Sequence, residues 1–173
     1  SGWKTVDLPH DWVVDLPYAE EASHSHGYKT VGYEYPQTSV GWYRKTFVAS
    51  NSLEGKNVYL NFDGVYMNST VWVNGQEVGT RPYGYISFSY DITPYLKKSG
   101  KQKLVVKVYD ATDNSMQPRG KQCIINSAIW YTPVSGIWQT VWLESVNKTH
   151  ITDYYPVSNL AKSTLTVDVK TAN

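Results

Sequence analysis

The feature that most restricts the fold of this chain is a two-residue alternation of apolar and polar side chains, which returns in short runs along most of its length. In residues 57–63, Val58, Leu60 and Phe62 fall on one side and Asn57, Tyr59 and Asn61 on the other. Successive strand side chains point to opposite faces, so this pattern specifies a half-buried strand. Leu104, Val106 and Val108 alternate with Val105, Lys107 and Tyr109, and Val71 and Val73 flank Trp72. No apolar stripe at i, i+3, i+4, i+7 is sustained, so helices are not expected to organise the core.

Turn chemistry separates the runs. Asn74-Gly75 lies between residues 69–73 and 76–80; both residue types accept positive φ, which makes this pair the strongest short hairpin signal. Residues 42–48 form an earlier strand, and Phe88 and Tyr90 belong to another. Residues 91–96 follow, expected as a short helical turn with Thr93 as N-cap and Pro94 at the first helical position. Residues 110–128 read as a long loop. Residues 136–144 read as a closing strand, with Ile137, Val141 and Leu143 on one face and Trp138, Thr140 and Trp142 on the other. Strands at this spacing predict an all-β antiparallel sandwich. Two further alternating runs, 151–157 and 165–169, come after a boundary near 145–150. Two strands cannot bury a second core, so 147–173 is expected to open a following domain.

Composition narrows the function. A hydrophobic fraction of 41% and a charged fraction of 18% fit a globular chain. The net charge of +1 gives no global attraction for nucleic acid or an anionic membrane. No apolar run approaches the about 18 residues of a membrane span, and no signal peptide is visible. The abrupt start at Ser1 reads as a processed or engineered end. The single cysteine, Cys123, excludes an intrachain disulfide and leaves the compartment open. A periplasmic or secreted setting is expected ahead of the cytoplasm. Two glycosylation sequons, at Asn68 and Asn147, matter only in a eukaryotic secretory route. Aromatic usage is lopsided, with 7 Trp and 15 Tyr against 3 Phe. Most of these are expected at core strand positions, since aromatics favour strands; a minority is expected to stack on sugar rings.

Candidate chemistry concentrates in one loop. His24 and His26 are too few for a metal site and read as a surface loop. No phosphate-binding glycine pattern and no serine nucleophile elbow is present. Glycoside hydrolysis needs two positioned carboxylates, and most acids here sit at turns or strand ends. Asp110 and Asp113 open the 110–128 loop directly after a core strand, where sandwiches carry binding groups, although an Asx turn explains them equally well. The same loop carries Arg119, Lys121 and Gln122, which can donate to sugar hydroxyls or carboxylates. Trp130 and Tyr131 return the chain to the sheet.

Several segments, in order, resemble the N-terminal sugar-binding domain of glycoside hydrolase family 2. They begin with Leu8-Pro9-His10-Asp11-Trp12 and Gly41-Trp42-Tyr43-Arg44-Lys45-Thr46-Phe47, and continue with Phe62-Asp63-Gly64-Val65 and Val71-Trp72-Val73-Asn74-Gly75. Gly84-Tyr85 and Asp91-Ile92-Thr93 follow, and Ser135-Gly136-Ile137-Trp138-Gln139-Thr140-Val141-Trp142 closes the series. The resemblance implies a jelly-roll sandwich like galactose-binding domains over 1–146 and the opening strands of an immunoglobulin-like sandwich over 147–173. It implies a β-galactosidase-like parent hydrolysing O-glycosidic bonds with glutamates of a (β/α)8 barrel outside this chain. No catalytic residue, metal or cofactor is expected within it. The expected substrate-binding residues are Asp110, Asp113, Arg119, Lys121, Gln122, Trp130 and Tyr131. The expected partners are carbohydrate and the parent chain's other domains, with no nucleic acid and no membrane. An autonomous carbohydrate-binding module and a purely architectural domain are the alternatives. Tyr66 stands where some members place a substrate-reaching Asn, and no acid fills the late-loop position, so galactose selection by that route is not expected.

Overall fold

A computed structural model describes residues 2–19, 29–32, 34–49, 53, 55–114, 116–124 and 128–172. They form nine strands: β1 Val40–Val48, β2 Asn57–Phe62, β3 Asn68–Val73, β4 Gln76–Arg81, β5 Phe88–Asp91, β6 Lys101–Tyr109, β7 Val141–Val146, β8 His150–Asn159 and β9 Thr164–Ala172. One sheet has the order β1-β6-β3-β4 and the other β5-β2-β7, while β8 and β9 pair only with each other. All the strand pairs are antiparallel. The predicted all-β jelly-roll sandwich is the observed architecture.

The alternation seen in the sequence sets the core. Val58, Leu60 and Phe62 of β2 meet Val71 and Val73 of β3 and Leu104, Val106 and Val108 of β6, with Phe88, Val65 and Ile137 closing the cluster. Phe62 and Phe88 stack at 4.9 Å between ring centroids. The aromatic expectation is corrected: only Phe62, Tyr66 and Phe88 among the described aromatics are buried. Branched aliphatic side chains make up most of the core, and most Trp and Tyr, with a polar group to keep wet, pack against it only partly buried, as Trp12, Tyr43, Tyr90 and Tyr95 do, or lie outside it. Trp42 and Trp72, for example, stack on each other at 5.8 Å on the outer face of the four-stranded sheet.

Two local expectations shift. The turn after β5 runs over Thr93–Tyr95, with Ile92 in the cap position and no side-chain cap from it. Asp91 takes the capping role, its Oδ1 accepting from the Thr93 N–H at 2.9 Å. Thr93 Oγ1 instead accepts from the Val58 N–H at 2.7 Å and ties the turn to β2. The closing strand forms a ladder only over 141–146, because residues 136–140 track the irregular 63–66 crossover: Gly136 bridges Tyr66, Gln139 N–H reaches Gly64 O, and Asp63 N–H reaches Thr140 O. Leu143 lies opposite buried Leu60 yet stays 43% exposed, since β7 is a sheet edge.

The Asn74-Gly75 hairpin forms as expected, with φ of 53° and 85°. Asn74 does more than turn the chain. Its Nδ2 donates to Tyr95 O at 2.8 Å and to Gln102 Oε1 at 2.7 Å, and its Oδ1 accepts from the Lys103 N–H at 3.0 Å. Gln102, fully buried, also accepts from the Lys97 N–H. Replacing Asn74 by Gly keeps the turn geometry but strands these partners. Asn74→Gly is expected to lower unfolding free energy by about 2 kcal/mol, read as a lower urea midpoint with an unchanged slope.

Candidate functional site

The loop end of the sandwich is organised from a buried joint. Residues 10–12 lie against the closing segment: His10 N–H donates to Ile137 O at 2.7 Å and Trp12 N–H to Ser135 O at 3.1 Å. Asp11 Oδ1 accepts from the Ser135 N–H at 3.0 Å and the Val13 N–H at 2.9 Å. Asp110 sits beneath, with no exposed surface. Its carboxylate accepts from Thr112 N–H at 2.6 Å, from Thr112 Oγ1 and from Ser135 Oγ. The joint locks the start of the 110–128 loop to the segment that ends it.

Burial pushes the Asp110 carboxyl up from 3.8 to about 6, against the pull of Ser135 and Thr112 and with a smaller upward push from Asp11. A carboxyl whose folded pKa lies above its unfolded value binds more protons in the folded state between the two, so its contribution to stability falls as pH rises from about 4 to about 6 and stays lost above. At about 1.4 kcal/mol per pH unit, its ionisation costs about 3 kcal/mol at neutral pH. Asp110→Asn removes the charge and keeps an acceptor for Thr112. The variant is expected to gain stability over wild type as pH rises from about 4 to about 7. Urea unfolding of both proteins across that range checks it; a difference that stays flat with pH would contradict it.

Above the joint opens a pocket of about 440 Å³. Its aromatic lining comes from four places: Tyr66 after β2, Tyr85 before β5, Trp138 before β7, and Tyr131 at the loop's return. Tyr85 meets both Tyr66 and Trp138 edge to face, at 5.6 and 5.8 Å. Trp138 Nε1 donates to Gly84 O at 2.9 Å, and Gly84 is small because a Cβ there would lie 2.2 Å from the Tyr66 ring. Burial, and then the charge of Asp110, raise the Tyr66 phenol far above its ordinary pKa; burial raises Tyr85 too, partly offset by Gln122. Both hydroxyls therefore stay protonated at neutral pH.

The polar lining is Arg119, Lys121, Gln122 and Thr132. Gln122 is a clasp: its Nε2 donates to Tyr85 OH at 2.7 Å and Arg119 O at 3.0 Å, and its Oε1 accepts from the Val134 N–H at 2.6 Å. Lys121 Nζ lies 5.8 Å from the centre of the Tyr131 ring.

The expected site residues thus divide. Arg119, Lys121, Gln122 and Tyr131 line one pocket. Asp110 is buried in the joint, and Asp113 accepts from the Ile124 N–H at 3.2 Å, so both brace the loop. Trp130 is 39% exposed and outside the lining. Tyr66, Tyr85 and Trp138 were absent from the expected set, although each stands within or next to a segment that carried the family resemblance. His24 and His26 lie outside the described residues. Among the described residues no group of three or more His, Cys, Asp or Glu could hold a metal ion, and no helix is long and apolar enough to cross a membrane.

An antiparallel jelly roll with an aromatic, hydrogen-bonding pocket at its loop end has the build of a carbohydrate-recognition domain. Residues 4–146 match the family described as glycosyl hydrolases family 2, sugar binding domain. The chain is 43% identical over 151 residues to the β-galactosidase BoGH2A of Bacteroides ovatus, an alignment covering 87% of this chain and 16% of that protein. Among solved structures, a β-glycosidase from Bacteroides vulgatus superposes with a TM-score of 0.74 at 33% identity, covering 98% of this chain and 20% of the other. A β-glucuronidase from Bacteroides uniformis superposes with a TM-score of 0.66 at 25% identity, over 87% of this chain and 15% of the other. The chain belongs to the sugar binding domains of glycosyl hydrolase family 2, and it spans about a sixth of the curated relative's length.

Proposed function

We propose that this chain is the sugar-contacting accessory domain of a longer family 2 glycoside hydrolase, of β-galactosidase or β-glucuronidase type, and that the pocket over Tyr66, Tyr85 and Trp138 seats one sugar ring of its substrate. The observation that carries this is the pocket itself: four aromatic side chains converge with Arg119, Lys121, Gln122 and Thr132 on one concave surface. Aromatic faces accept the C–H face of a pyranose, and fixed donors and acceptors orient its hydroxyls. Among the described residues no carboxylate lines the pocket, which supports contact with sugar rather than hydrolysis, since cleavage needs an acid pair. In this reading a (β/α)8 barrel elsewhere in the parent chain supplies that pair.

Residues 147–173 open an immunoglobulin-like sandwich in the same reading. Tyr154, Pro156, Leu165, Val167 and Val169 share one face of the β8–β9 hairpin by register, and Tyr154, Leu165, Val167 and Val169 are 46–66% exposed. Further strands would be needed to cover that face.

Saturation-transfer NMR of the chain with millimolar methyl β-galactoside and methyl β-glucuronide tests the sugar-contact reading. Transfer to the ring protons of at least one glycoside is expected. No transfer to either would contradict it.

A further inference from the structure

The charge of the pocket is one-sided. Arg119 and Lys121 line it, and among the described residues no carboxylate does. Neither cation forms an ion pair with a described residue. The chain as a whole carries only +1, so the pairing of two cations here is a local feature and not general basicity. The nearby acids are committed: Asp110 to Thr112 and Ser135, Asp113 to the Ile124 N–H.

Arg119 is held by its backbone and not by its side chain. Its carbonyl accepts from Gln122 Nε2 and from Tyr85 OH. Its Nε is buried and has no hydrogen-bond partner among the described residues. A desolvated guanidinium donor without an acceptor is costly, and the cost is recovered when an anion arrives. Lys121 stands beside it over the Tyr131 ring, a contact that satisfies none of its three N–H donors. A neutral sugar offers only hydroxyls to this pair, whereas a carboxylate or sulfate ester offers charge and two or three acceptor oxygens that fit an arginine fork.

We propose that this pocket is an anion-selective sugar subsite, which takes a glycosyl unit bearing a carboxylate or a sulfate ester, with Arg119 and Lys121 on the anionic group and the Tyr and Trp walls against the ring. The proposal rests on the pocket being the sugar-contact site described above. The two sources of anion share the same recognition chemistry and are separated by the test.

Isothermal titration of the chain at low and raised salt, against methyl β-galactoside, methyl β-glucuronide and galactose 6-sulfate, decides it. At low salt at least one acidic sugar is expected to bind about tenfold tighter than the neutral one, each such preference falling as salt screens it. A preference for the uronide alone assigns a carboxylate, for the sulfate alone a sulfate ester, and for both the shared anion chemistry. In the Arg119→Gln/Lys121→Gln double variant the acidic-to-neutral ratio is expected to fall close to one. Lys121→Gln alone, at an exposed position whose side chain carries no described hydrogen bond, is expected to lower the ratio part of the way and guards against a misfolded double variant. Equal binding of neutral and acidic sugars by the wild-type chain would overturn the anion assignment while leaving the sugar-contact reading standing. Binding of none of the three would sink both, and a preference kept in full by a folded double variant would place the anion elsewhere.

Discussion

Gly136→Ala is expected to leave the chain close to unfolding, with about 4 kcal/mol or more removed from its stability. Gly136 has φ of +128°, a conformation costly for any residue with a Cβ. The added Cβ would lie 2.6 Å from the carbonyl oxygen of His10 and 2.5 Å from Tyr43 OH. The carbonyl is backbone, and His10 is anchored through its N–H to Ile137 O, so the carbonyl cannot rotate away as a long side chain would. Relief requires opening the joint, which breaks the Tyr66–Gly136 bridge and disturbs the Ser135 contacts to Asp11 and Asp110. A domain of this size has only about 5–15 kcal/mol in total. Gly100→Ala is the matched control, since its added Cβ meets nothing within 4 Å and only the positive φ is penalised; about 1 kcal/mol is expected there. Urea unfolding followed by circular dichroism compares the two. Near-equal losses would mean that the joint yields more readily than its hydrogen bonds imply.

Trp138→Ala is expected to act twice. The indole packs on Gly64, whose absent side chain makes room for it, meets Tyr85 edge to face, and donates to Gly84 O. Removing it takes a wall from the pocket and leaves the Gly84 carbonyl without its donor. A stability loss of about 3 kcal/mol is expected from the lost packing. Sugar binding is expected to weaken by more than about tenfold, the order of one stacking contact and one wall. Trp138→Phe separates the two effects. It keeps an aromatic wall and loses the hydrogen bond, so it is expected to recover most of the binding and only part of the stability. Binding that survives Trp138→Ala unchanged would place the sugar elsewhere.

How much of this was legible in the sequence depended on whether a residue's role is local. Val58, Leu60 and Phe62 announce their strand because the pleat alternates their faces, and Asn74-Gly75 announces its turn because few other pairs accept two positive φ values. The loop that bears Arg119 and Lys121 was legible as a polar stretch without period after a core strand. Asp110 was not legible in the same way. A binding carboxylate and a buried Asx carboxylate look alike in sequence, and only the position of Ser135, 25 residues on, separates them. The pocket walls were missed for a related reason. Tyr66, Tyr85 and Trp138 follow or close three separate core segments, and only the sandwich topology brings those ends to one place. A signal was present all the same: each is a large aromatic within or beside a segment that carried the family resemblance. The outward Trp42–Trp72 pair shows the opposite failure, since strand alternation marks the two faces of a sheet without saying which aromatic belongs to the core.

That outward pair also supplies the sharpest test of where sugar is bound. Besides the pocket around Trp138, the described residues place an aromatic surface on the sheet face around Trp42 and Trp72. In a ¹⁵N-labelled chain the indole Nε1–H signals of these three tryptophans are separate reporters. Titration with a bound glycoside is predicted to move the Trp138 indole and the backbone amides of residues 119–122 and 131–134 while the Trp42 and Trp72 indoles stay in place. Shifts confined to Trp42 and Trp72, with residues 119–122 unmoved, would contradict the assignment of the pocket as the site where this family 2 domain meets its sugar.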